Sequence, residues 1–121
     1  MLLNDFYTIS KQENLDGSLK ATIVLNPKHK IFQGHFPGHP VVPGVCMMQI
    51  IREVMQERTG QKLKIAGADF IKFLTIINPE QNQEVDISIS YTEEGGSYSL
   101  NASLFSGATI FFKFRSTLQS A

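Results

Sequence analysis

The chain has 121 residues with 11 basic and 11 acidic side chains, so it has room for one hydrophobic core and carries no formal net charge. That balance leaves no electrostatic footprint for nucleic acid or an anionic membrane surface, and no apolar run approaches membrane-spanning length. The single cysteine, Cys46, excludes an intramolecular disulfide and fits a reducing compartment. Because Met1-Leu2-Leu3-Asn4-Asp5 also lacks the long apolar core of a signal peptide, a cytoplasmic soluble protein is expected.

In chain order, residues 6–13 and 19–25 read as two strands joined by a turn at Asp16-Gly17-Ser18, with Ala21, Ile23 and Leu25 alternating. A Gly/Pro-rich loop follows. A helix is expected from Pro43, which suits a first helical position, through a run free of Gly and Pro from Gly44 to Arg58. Residues 63–77 are apolar and β-branched with no stop before Asn78-Pro79, which predicts one long strand bent at Gly67. Val85, Ile87, Ile89 and Tyr91 then alternate with polar residues, and Glu94-Gly95-Gly96 turns the chain into a strand carrying Tyr98, Leu100, Ala102 and Leu104. A turn at Ser106-Gly107 leads to a last strand over 109–115, with Ile110, Phe112 and Phe114 on one face. One four-turn helix with five or six mostly antiparallel strands is an α+β domain, its sheet wrapped around the helix. No repeat or linker divides residues 1–121, so a single domain is expected.

The loop holds the chemistry. Across Gly34-His35-Phe36-Pro37-Gly38-His39-Pro40-Val41-Val42-Pro43-Gly44-Val45, closely spaced glycines and prolines fix the backbone as turns, so His35 belongs to neither a helix nor a central strand. Val42 is a poor helix cap, which leaves the N–H groups of Gly44 and Val45 in need of an acceptor. A carbonyl oxygen or anion at the positive end of the helix dipole satisfies them, with His35 tethered nearby. The natural reading is a base beside an oxyanion donor.

The pattern Gly-His-Phe-Pro-Gly-x-Pro-x-x-Pro-Gly-Val at Gly34 to Val45 closely resembles the active-site segment of hotdog-fold 3-hydroxyacyl-[acyl-carrier-protein] dehydratases. A weaker similarity continues at Ala66-Gly67-Ala68-Asp69 and through Lys72-Phe73 to Pro79. The resemblance implies a hotdog fold and a lyase that converts a (3R)-3-hydroxyacyl thioester to its trans-2-enoyl product, in fatty-acid, lipid or polyene-type biosynthesis. It implies that His35 removes the C2 proton, that the Val41 carbonyl orients the ring, and that Phe36, Pro37 and Gly38 shape the substrate loop. The Gly44 N–H then binds the thioester carbonyl, a donor worth roughly two to three decades in rate at comparable sites. The elimination needs no cofactor.

The acidic residue of the family falls at position 49, where this chain has Gln49. An amide positions a hydroxyl but has no proton to give near neutral pH. Three readings stand. His35 serves as base and then returns the proton while Gln49 positions the hydroxyl; or Glu53, one helical turn on and about 6 Å along the axis, substitutes as acid; or the chain is a non-catalytic or impaired subunit paired with an active paralogue. The resemblance also implies a homodimer joined edge to edge, with His35 of one chain facing Gln49 of the other. The implied partner is an acyl carrier protein, whose acidic surface meets Lys72, Lys113 and Arg115 near the tunnel entrance.

Other candidates read more plainly. Cys46 lies in the apolar run Val45-Cys46-Met47-Met48 and behaves as a small buried hydrophobe rather than a nucleophile. His35 and His39 are four apart, but the intervening glycine and prolines prevent a helical metal pair, and no metal site is expected. His29 and His39 read as loop residues with partly exposed rings. Gln49, Arg52, Glu53 and Gln56 form a polar stripe, leaving Val45, Met48, Ile51, Val54 and Met55 for burial.

Overall fold

The computed structural model describes residues 1–34 and 38–121. Its six strands are β1 (Tyr7–Leu15), β2 (Ser18–Leu25), β3 (Leu63–Phe73), β4 (Glu84–Glu94), β5 (Ser97–Ser106) and β6 (Thr109–Ser120). They form one antiparallel sheet in the order β1-β2-β4-β5-β6-β3. A one-turn helix α1 (Ile31–Gly34) precedes the main helix α2 (Gly44–Thr59), which interrupts the run of hairpins between β2 and β3. The strand that follows the helix therefore lands at the far edge of the sheet, beside β6.

Period-two alternation sorts the faces of the sheet. Leu19, Ala21, Ile23 and Leu25 of β2, Val85, Ile87 and Ile89 of β4, and Tyr98, Leu100, Ala102 and Leu104 of β5 are all buried. Met47, Ile50, Ile51, Val54 and Met55 are buried with them, a stripe at helical spacing. Each such large apolar side chain contributes roughly 1.5–3 kcal/mol when fully removed from water.

Four sequence expectations change. The buried stripe of α2 includes Cys46, Met47 and Ile50, whereas Val45 is 68 % exposed and Met48 only partly buried. Residues 45–48 are apolar all round, so periodicity could not choose their inward members. Pro43 is the N-cap, with extended backbone (φ −62°, ψ 146°), and the helix proper starts at Gly44. The strand expected over 63–77 ends at Phe73; Leu74 and Thr75 instead donate their N–H groups to the Phe111 carbonyl. In β6 a bulge places Phe105 opposite Ile110 and Leu104 opposite Phe112. Phe111 is thereby buried, and Ile110 is 38 % exposed rather than sharing the face of Phe112 and Phe114.

The bend expected at Gly67 is present, as one of two irregularities in β3 that leave Ala66 and Asp69 without a partner in β6. The Ser116 hydroxyl donates to the Gly67 carbonyl at 2.6 Å between them.

A candidate active site at the amino end of α2

Residues 41–43 lead into the helix outside any regular element, anchored where the Val42 N–H donates to the Ile77 carbonyl at 2.9 Å. The Pro43 carbonyl accepts from Cys46 N (3.0 Å) and Met47 N (3.3 Å), which starts the helical ladder. No side chain caps this end, and the N–H groups of Gly44 and Val45 meet no acceptor among the described residues. Beside them lies an apolar cleft of about 310 Å³ lined by Val41, Val42, Gly44, Met47, Phe73, Leu74, Thr75 and Ile76. Donors thus stand at the mouth of an otherwise apolar hollow, where a bound carbonyl oxygen is worth more than in water.

Gly44 leaves room here for a neighbouring ring. A Cβ at this position would lie 2.6 Å from Cζ of Phe73, whose ring stacks on Phe112 at 5.1 Å. Leu74, Thr75 and Ile76, which run past the end of β3, line this cleft.

Gln49 is a turn and a half along α2 from Gly44, partly exposed and outside the cleft lining. Its Nε2 donates to Glu53 Oε2 at 2.7 Å. Glu53 is fully buried, not part of a solvated stripe, and its carboxylate also accepts from Leu2 N, Leu3 N and the Tyr7 hydroxyl. A group so enclosed and so fully engaged is not a free acid. Sequence reading missed this role, and the i, i+4 spacing of Gln49 and Glu53 was its only local trace. Burial, and then the neighbouring negative charge of Glu53, pushes the Tyr7 hydroxyl well above the ordinary phenol range. The same two causes raise the Cys46 thiol, which is buried and suits the inert reading.

The remaining candidates separate. Val41 and Gly44 share the cleft, whereas Gly38 is exposed in a left-handed turn (φ 85°) outside it. His35, Phe36 and Pro37 lie outside the described residues. His29 is not a partly exposed loop histidine: it is 7 % exposed, its Nε2 pairs with Asp5 Oδ2 at 2.9 Å, and its Nδ1 accepts from Ile31 N. The demand for that burial comes from Asp5 and from Phe6, whose ring meets it edge-on. His39 is exposed, as expected. Lys113 and Arg115 line a separate hollow on the outer face of the sheet with Phe70 and Asn101, and Lys72 sits directly across from Lys113. Among the described residues no group of three metal-ligating side chains occurs, and no helix is long and apolar enough to cross a membrane.

A six-stranded antiparallel sheet packed on one long helix, with a second-strand crossover through that helix, is the hotdog fold. The dehydratase heterocomplex ApeI:P from Xenorhabdus doucetiae has this architecture, with a TM-score of 0.73 at 18 % identity over 92 % of this chain and 96 % of that one. So does a hypothetical thioesterase solved with coenzyme A from Streptococcus pneumoniae, at a TM-score of 0.63 and 11 % identity over 95 % of this chain and 85 % of that one. The family model for ApeI-like proteins, described as ApeI dehydratase, matches residues 10–108, and the chain belongs to that family.

Curated relatives agree at low identity. The 3-hydroxyacyl-[acyl-carrier-protein] dehydratase FabZ of Chloroflexus aggregans is 27 % identical over 71 residues, covering 53 % of this chain and 49 % of the relative. FabZ of Halalkalibacterium halodurans is 27 % identical over 93 residues, covering 69 % and 66 %. The chain spans about half to two thirds of the length of these relatives.

Proposed function

We propose that the chain dehydrates a (3R)-3-hydroxyacyl thioester, presented by acyl carrier protein in the cytoplasm, to the trans-2-enoyl thioester. The observation that carries this reading is the uncapped amino end of α2, whose Gly44 and Val45 N–H groups stand beside an apolar cleft in a chain of the ApeI-like family. The thioester carbonyl accepts from Gly44, which spreads onto oxygen the charge that forms at C2. His35, by resemblance, takes the C2 proton. The C2–H pair becomes the C2=C3 bond, the C3–O bond breaks, and the proton carried by His35 leaves with the hydroxyl as water. Gln49 of a second copy holds that hydroxyl, since the chain's own Gln49 lies outside the cleft, and the acyl chain extends along Val42, Met47 and Ile76.

The open edge of β3 and exposed Val45, Ile71, Phe73 and Ile76 support pairing with a second copy. Exposed Lys72, Lys113 and Arg115 suit the acidic surface of a carrier protein. A second reading, a non-catalytic subunit that binds carrier protein beside an active paralogue, is favoured by the engagement of both carboxylate oxygens of Glu53, the acid one helical turn from Gln49.

The test is dehydration of 3-hydroxyacyl-acyl-carrier-protein, read by mass spectrometry of the carrier, for wild type, His35→Ala and Gln49→Glu. Turnover by wild type that His35→Ala loses by at least about a hundredfold supports the lyase. Full activity in His35→Ala refutes the mechanism. A silent wild type with an active Gln49→Glu selects the subunit reading.

A further inference from the structure

Glu53 is the most enclosed polar side chain of the described molecule, and its partners identify what it does. Leu2 N donates to Oε2 at 2.9 Å and to Oε1 at 3.2 Å, and Leu3 N donates to Oε1 at 2.8 Å. The Tyr7 hydroxyl adds a bond to Oε1 at 3.1 Å. Backbone N–H groups can only donate, so both carboxylate oxygens are acceptors. The cation next in sequence is committed elsewhere, since the Arg52 guanidinium donates to Gln56 Oε1 and the Leu63 carbonyl.

The turn that delivers the two backbone donors is itself fixed. Asp5 N and Phe6 N donate back to the Leu2 carbonyl, and Asn4 takes the left-handed conformation (φ 68°) that asparagine tolerates. The acceptor character of Glu53 is therefore imposed from Leu2, Leu3 and Tyr7, about fifty positions away in sequence.

Gln49 meets Glu53 Oε2 at 2.7 Å. The group facing the carboxylate must be the amide NH2, because the opposite orientation would set two acceptors against each other. Oε1 is then turned away from Glu53 and meets no donor among the described residues. We propose that Glu53 is a positioning residue that locks the Gln49 amide with Oε1 presented to the substrate held in a second copy's cleft, so that the site selects a 3-substituent able to donate a hydrogen bond. The inference rests on the proposed dehydratase reading and extends it: 3-hydroxyacyl groups are accepted and 3-oxoacyl groups, which only accept, are disfavoured. It also leaves the return of the proton to His35.

The test uses non-hydrolysable pantetheine amides carrying a 3-hydroxyacyl or a 3-oxoacyl chain of equal length, with affinity measured by calorimetry on wild type and Glu53→Gln. Wild type is expected to favour the 3-hydroxy ligand by about tenfold, the scale of one hydrogen bond left unmade. In Glu53→Gln the new amide keeps its carbonyl on the Leu3 and Tyr7 donors and turns its NH2 toward Gln49. Gln49 must then flip, and the preference is expected to invert toward the 3-oxo ligand. Parallel weakening of both ligands, or no preference in wild type, overturns the proposal.

Because Glu53→Gln can fail to fold, the Gln49 side-chain NH2 of wild type is also followed by nitrogen-15 NMR. One slowly exchanging proton is expected, and exchange at the rate of an exposed glutamine overturns the proposal. Turnover of the carrier-linked substrate is measured beside these experiments. A wild type that shows the preference without turnover refutes the lyase and keeps the positioning role, whereas turnover without preference does the reverse.

Discussion

The two ends of α2 are built in opposite ways. At the carboxyl end, Gly60 adopts the left-handed conformation (φ 70°) and its N–H donates to the Gln56 carbonyl at 2.8 Å. The Thr59 hydroxyl donates to the Met55 carbonyl, and Gln56 Oε1 receives both Leu63 N and Arg52 Nη1. At the amino end, Pro43 brings no side-chain cap and two N–H groups meet no acceptor among the described residues. A helix that secures one terminus with its own residues and leaves the other open has given up local stability where a ligand can supply the missing acceptor.

The sharpest way to break this contrast is at Gly44. Gly44→Ala displaces the Phe73 ring, which forms part of the cleft wall, and the proposed dehydration is expected to fall by at least about tenfold, since misplacing a reacting group by 1 Å can cost far more. Phe73 is 55 % exposed and free to swing, so the melting temperature should stay within a few degrees. A large drop in melting temperature with activity retained would mean that Gly44 serves packing.

The complementary change is Gly60→Ala. It places a Cβ at φ 70° and should cost about 1 kcal/mol, lowering the melting temperature by roughly 4–8 °C while carrier-linked turnover is unchanged. Loss of turnover at assay temperature without loss of stability would remove the distinction between the two ends.

Tyr7→Phe tests the cluster that lies between them. At neutral pH it should cost about 1 kcal/mol through the lost bond to Glu53. The folded chain keeps this phenol neutral, while in the unfolded chain it ionises near the ordinary phenol value of about 10. Its stabilising effect is therefore complete below that pH and declines above it, by up to about 1.4 kcal/mol per pH unit. Denaturant unfolding at pH 8 and pH 11 should show wild type losing its advantage over Tyr7→Phe at the higher value. An advantage that holds at pH 11 would place the effect in packing.

The fold was readable because β2, β4 and β5 alternate cleanly and because turns carry Gly17, Gly95, Gly96 and Gly107 in left-handed conformations that glycine alone adopts easily. The misreadings have one cause, which is demand arising far away in sequence. Residues 74–77 looked like strand because they are mostly apolar, yet Leu74, Thr75 and Ile76 line the cleft and the Ile77 carbonyl anchors Val42. The last strand is expected to end at residue 115, yet β6 runs on to Ser120, with Ser116 buried and its hydroxyl on Gly67, 49 positions earlier. Glu53 looked solvated because its donors are at Leu2, Leu3 and Tyr7, and His29 looked exposed because its partner is Asp5. The Gly/Pro motif, by contrast, is local, and the cleft beside Val41 and Gly44 lies where it points.

The two unpaired residues of β3, Ala66 and Asp69, have a metric consequence. Each adds roughly 3.3 Å of backbone that its neighbour β6 does not match. Two adjacent ribbons of unequal contour length cannot both lie straight, so the longer outer one must follow a wider arc. The curl that brings the sheet's margin around to the amino end of α2, where Phe73 meets Gly44, is thus written as a difference in length between two paired strands.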